Sequence, residues 1–170
     1  PHNTEAEHGV LGALLQDNAA FDRVGDRLAE HQFYHRDLGA IFGTITRLIA
    51  AAKPADVLTV FDAGGHDLPL LTDIAQSVPS AQHAGHYAEI VAERWREREL
   101  LRISGALGAA AVRGDAGTVA ERVDACVMAL LKLADQEQRQ EPAAVADLLA
   151  PWLDQLSDIA EGNAPPAIPT

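Results

Sequence analysis

The chain has 170 residues, 48% of them apolar and 5% aromatic, and its 13 Lys and Arg face 25 Asp and Glu, for a formal net charge of −12. That length suits one domain, or one domain with an appendage, and the apolar share is enough for a real core. The acidic excess disfavours a surface that grips nucleic acid or anionic membrane, because such surfaces need clustered cations to displace counterions from phosphates. A single cysteine, Cys126, cannot form an internal disulfide. No apolar run approaches the ~18 residues that a bilayer span needs. The opening Pro1-His2-Asn3-Thr4-Glu5 lacks the basic-then-apolar order of a signal peptide, so a cytoplasmic protein with a trimmed start is expected.

Apolar spacing is helical almost everywhere, and no run alternates as a strand would. The first helix is expected over Glu5–Gln16, with Val10, Leu11 and Leu14 on one face. Asn3 or Thr4 is placed to cap it, and Glu5 and Glu7 suit the positive end of its dipole. Asp17-Asn18 caps a short helix carrying Phe21, Val24 and Leu28. Leu38, Ile41, Phe42, Ile45, Leu48 and Ile49 then follow the i, i+3, i+4, i+7 rule closely, ending near Lys53-Pro54. Asp56 caps a short helix through Val57, Val60 and Phe61, and Gly64-Gly65 is a turn. Leu71, Ile74 and Val78 mark another short helix, which Pro79 stops. Residues 1–80 thus read as a compact bundle of short helices.

A long helix is expected over Gln82–Arg113, with Tyr87, Val91 and Trp95 on one stripe and Leu100, Ile103 and Leu107 continuing it. After a tight turn, Gly114-Asp115-Ala116-Gly117, Thr118 caps a return helix with Val119, Val123, Cys126, Leu130 and Leu133. Together they make an antiparallel hairpin over residues 81–136. A polar stretch, Asp135 to Glu141, leads to Pro142, a good first helical residue. Beyond it an amphipathic helix carries Val145, Leu148, Leu149, Trp152, Leu156 and Ile159. Pro151 inside this helix costs a hydrogen bond and predicts a kink. Residues 162–170 read as a linker heading into a further domain. The fold class is all-α: a helical bundle, a protruding hairpin and a C-terminal linker helix.

Catalytic motifs are absent. Neither lysine follows a glycine, so there is no G-x-x-x-x-G-K-[ST] loop, and no G-x-S-x-G occurs. His31 and His35 are four apart and His83 and His86 three apart, spacings that place each pair on one helix face. A zinc site usually needs four ligands, and Cys126 lies far off in a helix stripe, so surface or capping histidines are the plainer reading. Cys126, flanked by Val123, Val127 and Leu130, reads as a buried structural thiol. In Glu93-Arg94-Trp95-Arg96-Glu97-Arg98-Glu99 with Arg102, a basic aromatic cluster able to hold single-stranded nucleic acid competes with a salt-bridged face. The interleaved acids, spaced for Glu93–Arg96 and Glu99–Arg102 pairs, favour the second. The residues alone support an interaction module, with no catalytic, cofactor or metal site.

Several segments, in order, resemble the N-terminal region of DnaB-type replicative helicases. They are Pro1–Glu7 followed by Val10–Leu15; Phe33-Tyr34 with Ile41-Phe42; Pro54–Val60 as a P-x-D-x-x-T-V segment; Pro79-Ser80-Ala81 and Tyr87–Val91 before the Arg/Glu-rich helix; and the closing Ala167–Thr170. Against the family pattern, the stretch between Val60 and Leu68 is short, Leu70 or Leu71 replaces an aromatic after the glycine pair, and Pro151 is unusual in the linker helix. The resemblance implies a small helical globule with a hairpin that pairs between subunits, so that six copies form a collar of three dimers. It also implies a docking role for primase or a helicase loader. ATP, Mg and DNA translocation would belong to a RecA-like motor beyond residue 170, and the linker helix would pack on a neighbouring motor.

Trp95, Leu101, Leu107, Val123 and Leu130 are therefore the expected oligomer or partner interface, with dimer to hexamer as the expected assembly. Leu148, Leu149, Trp152, Leu156 and Ile159 are the expected docking face of the linker helix at residues 137–170. Neither strong direct nucleic-acid binding nor membrane association is expected. A free-standing helical adaptor that binds a helicase or primase is the alternative; a reading frame continuing past Thr170 into a G-K-[ST] loop would exclude it. A small helical metalloenzyme is a third reading, and it needs stoichiometric metal.

Overall fold

The computed structural model describes residues 1–113 and 117–138, and every regular element within them is helical. The chain divides into two compact units, Pro1–Ala134 and Asp135–Thr170. The expected linker helix and its docking residues lie outside the described residues.

Helix α1, Thr4–Gln16, is the centre of the first unit. Asn3 caps it by accepting from the Ala6 N–H at 3.0 Å, which satisfies one of the amide donors that a helix start leaves unpaired. Its apolar residues are spread round the cylinder, so α1 is buried on most sides: α2 (Arg36–Ala50), α4 (Leu68–Ser77) and α5 (Ala84–Arg113) all pack on it. Val10, Leu11 and Leu14 are fully buried, together with Ile41 and Ile45 of α2 and Leu71 and Ile74 of α4. Two glycines let the neighbours come close. A Cβ on Gly9 would meet the Tyr87 ring of α5 at 2.7 Å, and one on Gly12 would meet the Ile74 carbonyl oxygen of α4 at 2.5 Å.

Amide side chains stitch the end of α1 to its surroundings. Asn18 Nδ2 donates to the Leu14 and Ala55 carbonyls, and Asn18 Oδ1 accepts from the Ala55 N–H. Gln16 donates to the Ala75 and Val78 carbonyls at 2.7 Å each. The segment after Asp17 is a 3₁₀ turn, Asn18–Arg23, and the expected helix does not reach Leu28. Gly25, a poor helix former, follows it against the Phe21 ring. Helix α3, Val57–Gly64, starts on a capping box between Asp56 and Thr59 and ends at Gly65, whose φ of 63° is the left-handed conformation suited to glycine.

Helix α5 begins at Ala84, two residues later than expected. A 3₁₀ turn, Ala81–His83, precedes it, with Ser80 accepting from the Gln82 N–H. Helix α6, Val119–Gln138, carries on through what reads as a polar break at Asp135. Gln136, Glu137 and Gln138 are sound helix formers, and nothing there stops the helix. Thr118 and Glu121 form its capping box: the Thr118 N–H donates to Glu121 Oε2 at 2.7 Å, and the Glu121 N–H to Thr118 Oγ1 at 3.3 Å. Gly117, with φ 77°, leads into it.

Candidate interaction surfaces

The thirty residues of α5 serve two environments. Ala84, Ala88, Val91, Ala92 and Trp95 are buried in the core of the globule. Trp95, expected at a partner interface, is 8% exposed and lies edge-on to His31 at 5.6 Å between ring centroids. An apolar stripe on a long helix looks the same whether it faces its own chain or another, and here the globule has already taken this residue.

One turn on, Arg98 holds the globule to the base of the hairpin. Its guanidinium donates to the Pro1 carbonyl at 2.9 Å and the Gln32 carbonyl at 2.6 Å, and lies 5.5 Å from the centroid of the Tyr34 ring. Tyr34 also stacks on His2 at 4.2 Å. Beneath this cluster Glu7, only 1% exposed, accepts from the Tyr34 N–H at 2.7 Å and the His35 N–H at 3.4 Å. Its sequence position suggests a solvated dipole partner; instead its carboxylate supplies the acceptors for the loop that enters α2. Neither Arg98 nor Glu7 stands out in the sequence, because the backbone groups they serve are remote along the chain.

The Glu99–Arg102 pair forms at 2.8 Å, and a second pair joins Arg94 to Glu97 at 2.7 Å. The Glu97 carboxylate raises the Arg94 value above the ordinary arginine range by accepting its hydrogen bond. Arg94, Arg98 and Arg102 thus each have partners within the chain. Among the described residues no group of three or more His, Cys, Asp or Glu could hold a metal ion. His35 meets Thr4 Oγ1 at 3.1 Å, and His86 lies 3.9 Å from Glu89.

Beyond Arg98 the character of α5 changes. Ile103 turns inward and is buried, whereas Leu100, Leu101 and Leu107 remain accessible. Leu101, Gly105, Gly108 and Val112 follow at intervals of four, three and four, which aligns them on one helix face. Leu101 is 62% and Val112 88% exposed, and a Cβ on Gly105 or Gly108 would meet nothing within 4 Å. On α6, Val119, Val123, Val127, Leu130 and Leu131 form a second exposed apolar row. The C-terminal end of α5 and the start of α6 are tied by Arg122, which donates to the Ala110 carbonyl at 2.7 Å. Between them is a cleft of about 260 Å³ lined by four alanines together with Ile103, Leu107, Cys126, Arg102 and Arg122. Cys126, expected to be buried, is half-buried, because small alanines across the cleft do not cover it.

Four of the five expected interface residues, Leu101, Leu107, Val123 and Leu130, are therefore exposed on the hairpin, and Trp95 is not. The glycines of the α5 face escape a sequence search for hydrophobic anchors, although G-x-x-G inside a helix is itself a signal.

The family model described as the DnaB-like helicase N terminal domain matches residues 1–93. The replicative DNA helicase DnaB of Mycobacterium leprae is 31% identical over 172 residues, covering 96% of this chain and 28% of its own length. That of Pasteurella multocida is 31% identical over 114 residues, covering 61% of this chain and 24% of its own length. The chain therefore spans roughly a quarter of these relatives. The crystal structure of the N-terminal domain of DnaB helicase from Mycobacterium tuberculosis superposes with a TM-score of 0.73 at 30% identity, over 78% of this chain and 98% of that one. A structure of a DnaB-like replicative helicase and its interactions with primase superposes with a TM-score of 0.63 at 17% identity, over 99% of this chain and 36% of that one, a likeness of fold.

Proposed function

This chain belongs to the family of DnaB-like helicase N-terminal domains, and on that footing we propose that it is the collar region of a replicative DNA helicase. In this reading it joins subunits through its helical hairpin, up to a hexamer, and offers its globule to a primase or a loader. ATP hydrolysis and DNA translocation would be the work of a motor domain elsewhere in a longer protein, with the linker-helix residues Leu148, Leu149, Trp152, Leu156 and Ile159 docking onto it.

The observation that carries the reading is the unpartnered apolar hairpin. A mid-helix glycine costs about 1 kcal/mol relative to alanine, and among the described residues nothing lies close enough to Gly105 or Gly108 to require one. A second helix approaching along Leu101, Gly105, Gly108 and Val112 would use that space, and the α6 row would add apolar area worth about 25 cal/mol per Å² once covered. The relatives are named as replicative helicases, and one structural neighbour is of a helicase and its interactions with primase. The mass of the chain in solution, measured by light scattering across concentration, tests the reading. Dimers or larger species that Leu101→Glu dissolves are the expected result. A monomer at every concentration would remove the hairpin from the assembly and shift weight to a helical adaptor.

A further inference from the structure

Helix α3 is lightly held. Val60 is its one fully buried residue, while Leu58 and everything from Phe61 to Gly64 are exposed. A helix this short does not persist in water without packing. Its front end is moored by Asn18, which bonds both backbone groups of Ala55. Its rear end is moored through the connection to α4. There His66, half-buried, sets Nε2 2.9 Å from Thr44 Oγ1 on α2, and Thr44 is only 2% exposed. At Gly64 a Cβ would collide with His66 Nε2 and stand 3.0 Å from Thr44 Oγ1, so a bare backbone there lets the ring reach the hydroxyl.

The hydrogen bonds assign the ring's protons. The Thr44 hydroxyl donates to the Ala40 carbonyl at 3.0 Å and accepts from Arg47 Nη2 at 3.0 Å. It has only an acceptor left for the ring, so His66 Nε2 carries the hydrogen and Nδ1 is where a second proton would go. That proton would make His66 and Arg47 two cations donating to one hydroxyl oxygen. Arg47 cannot readily swing away, because its Nε also donates to the Gly43 carbonyl at 3.2 Å. Partial burial first, and the Arg47 charge second, hold the ring below its ordinary 6.5; Asp37 of α2, itself exposed, works the other way. Asp62 of α3 and Asp67, which caps α4, are exposed at the adjoining helix ends. We propose that His66 is a proton-operated latch: a second proton on the ring releases the α3–α4 connection from α2 and lets α3 open while the rest of the globule stays folded. The latch is fully held above about pH 6.5 and weakens as pH falls below it, because the open state binds the proton more tightly. Nothing in the latch depends on hairpin pairing.

Native-state amide exchange on the 170-residue chain, read by NMR at several low urea concentrations, tests the latch. The α3 amides from Val60 to Gly65 should exchange faster than those of Val10 to Leu14 in α1 and depend only weakly on urea, the mark of a local opening that exposes little surface. Corrected for the intrinsic effect of pH, their exchange should rise several-fold as pH falls from about 7 to about 5. The His66 ring, identified by its absence in His66→Gln, should titrate below 6.5. In His66→Gln, which offers Thr44 a neutral donor, α3 exchange should stay flat over that range. Arg47→Gln, a surface change that removes the opposing cation, should raise the ring's midpoint and shrink the rise. Exchange of α3 in step with α1, with the same urea dependence at every pH, would overturn the proposal, since the connection would then open only by global unfolding. So would a ring midpoint at or above 6.5 in the parent, or an equal rise in His66→Gln, which would assign the opening to another histidine.

Discussion

Replacing Gly12 by alanine tests how closely α1 and α4 are packed. The new Cβ would stand 2.5 Å from the Ile74 carbonyl oxygen and 2.6 Å from Val78 Cγ2, about 1 Å inside ordinary contact. The first obstacle is helix backbone and the second a β-branched side chain, so neither can swing aside. Helix α4 must instead move off α1. A gap of that size forfeits a quarter to a half of the contact energy along the seam, and overpacking of this kind costs roughly 1–3 kcal/mol. Alanine recovers up to about 1 kcal/mol through its better helix propensity. The net expectation is a loss of about 1–2 kcal/mol for Gly12→Ala and more for Gly12→Val. Urea unfolding followed by circular dichroism should show midpoints falling in that order with an unchanged slope. An alanine variant as stable as the parent, or more so, would mean that propensity governs the site and that the close approach does not.

At Gly105 the same substitution should have the opposite sign. With open space around its Cβ, Gly105→Ala should stabilise the fold by up to about 1 kcal/mol in dilute solution while weakening self-association in sedimentation measurements if that face is paired. Glu7→Ala should cost about 2–4 kcal/mol in chemical unfolding, because it strands the Tyr34 and His35 N–H groups and leaves a cavity where the buried Glu7 side chain stood. Desolvation and the nearby Arg47 charge hold His66 below its ordinary value of 6.5, so the fold favours the neutral ring. Stability should be full above about pH 6.5 and decline as pH falls through the lowered folded value. His66→Gln should flatten that part of the pH profile relative to the parent, and an unchanged difference between the two proteins across pH 7 to 5 would contradict it. Asp56→Ala should cost about 1 kcal/mol through loss of the α3 cap, measured by thermal unfolding at neutral pH.

Much of the fold was legible because local chemistry and apolar period agreed. The α2 pattern from Leu38 to Ile49, the Asn3, Asp56 and Thr118 caps, and the Gly65 stop all act within a turn of where they stand in the chain. What stayed hidden depends on partners distant in sequence. Glu7 is acidic and lies near a helix start, which normally means solvent, yet its acceptors serve amides 27 and 28 residues away. Arg98 reaches back 66 and 97 residues. Trp95 and Leu101 lie along one helix and read alike as apolar. In the fold Trp95 is buried, with His31 edge-on to it, and Leu101 is exposed. The exposed hairpin rows were visible as anchors, but the glycines between them have significance only once their surroundings are known to be empty.

The continuity of α5 has a mechanical consequence. The same helix is a wall of the globule at Trp95 and an arm of the hairpin at Val112, with no break between them. Those seventeen residues of rise span about 25 Å. A tilt of about 10° imposed at the arm's far end would swing the globule through roughly 4 Å over that length, as a crank turns with its shaft. The Arg98 fastening at Pro1 and Gln32 removes slack at the fulcrum. If copies pair through their arms, as proposed above, their globules could not adjust independently, and a ligand on one globule would exert torque on the paired arm.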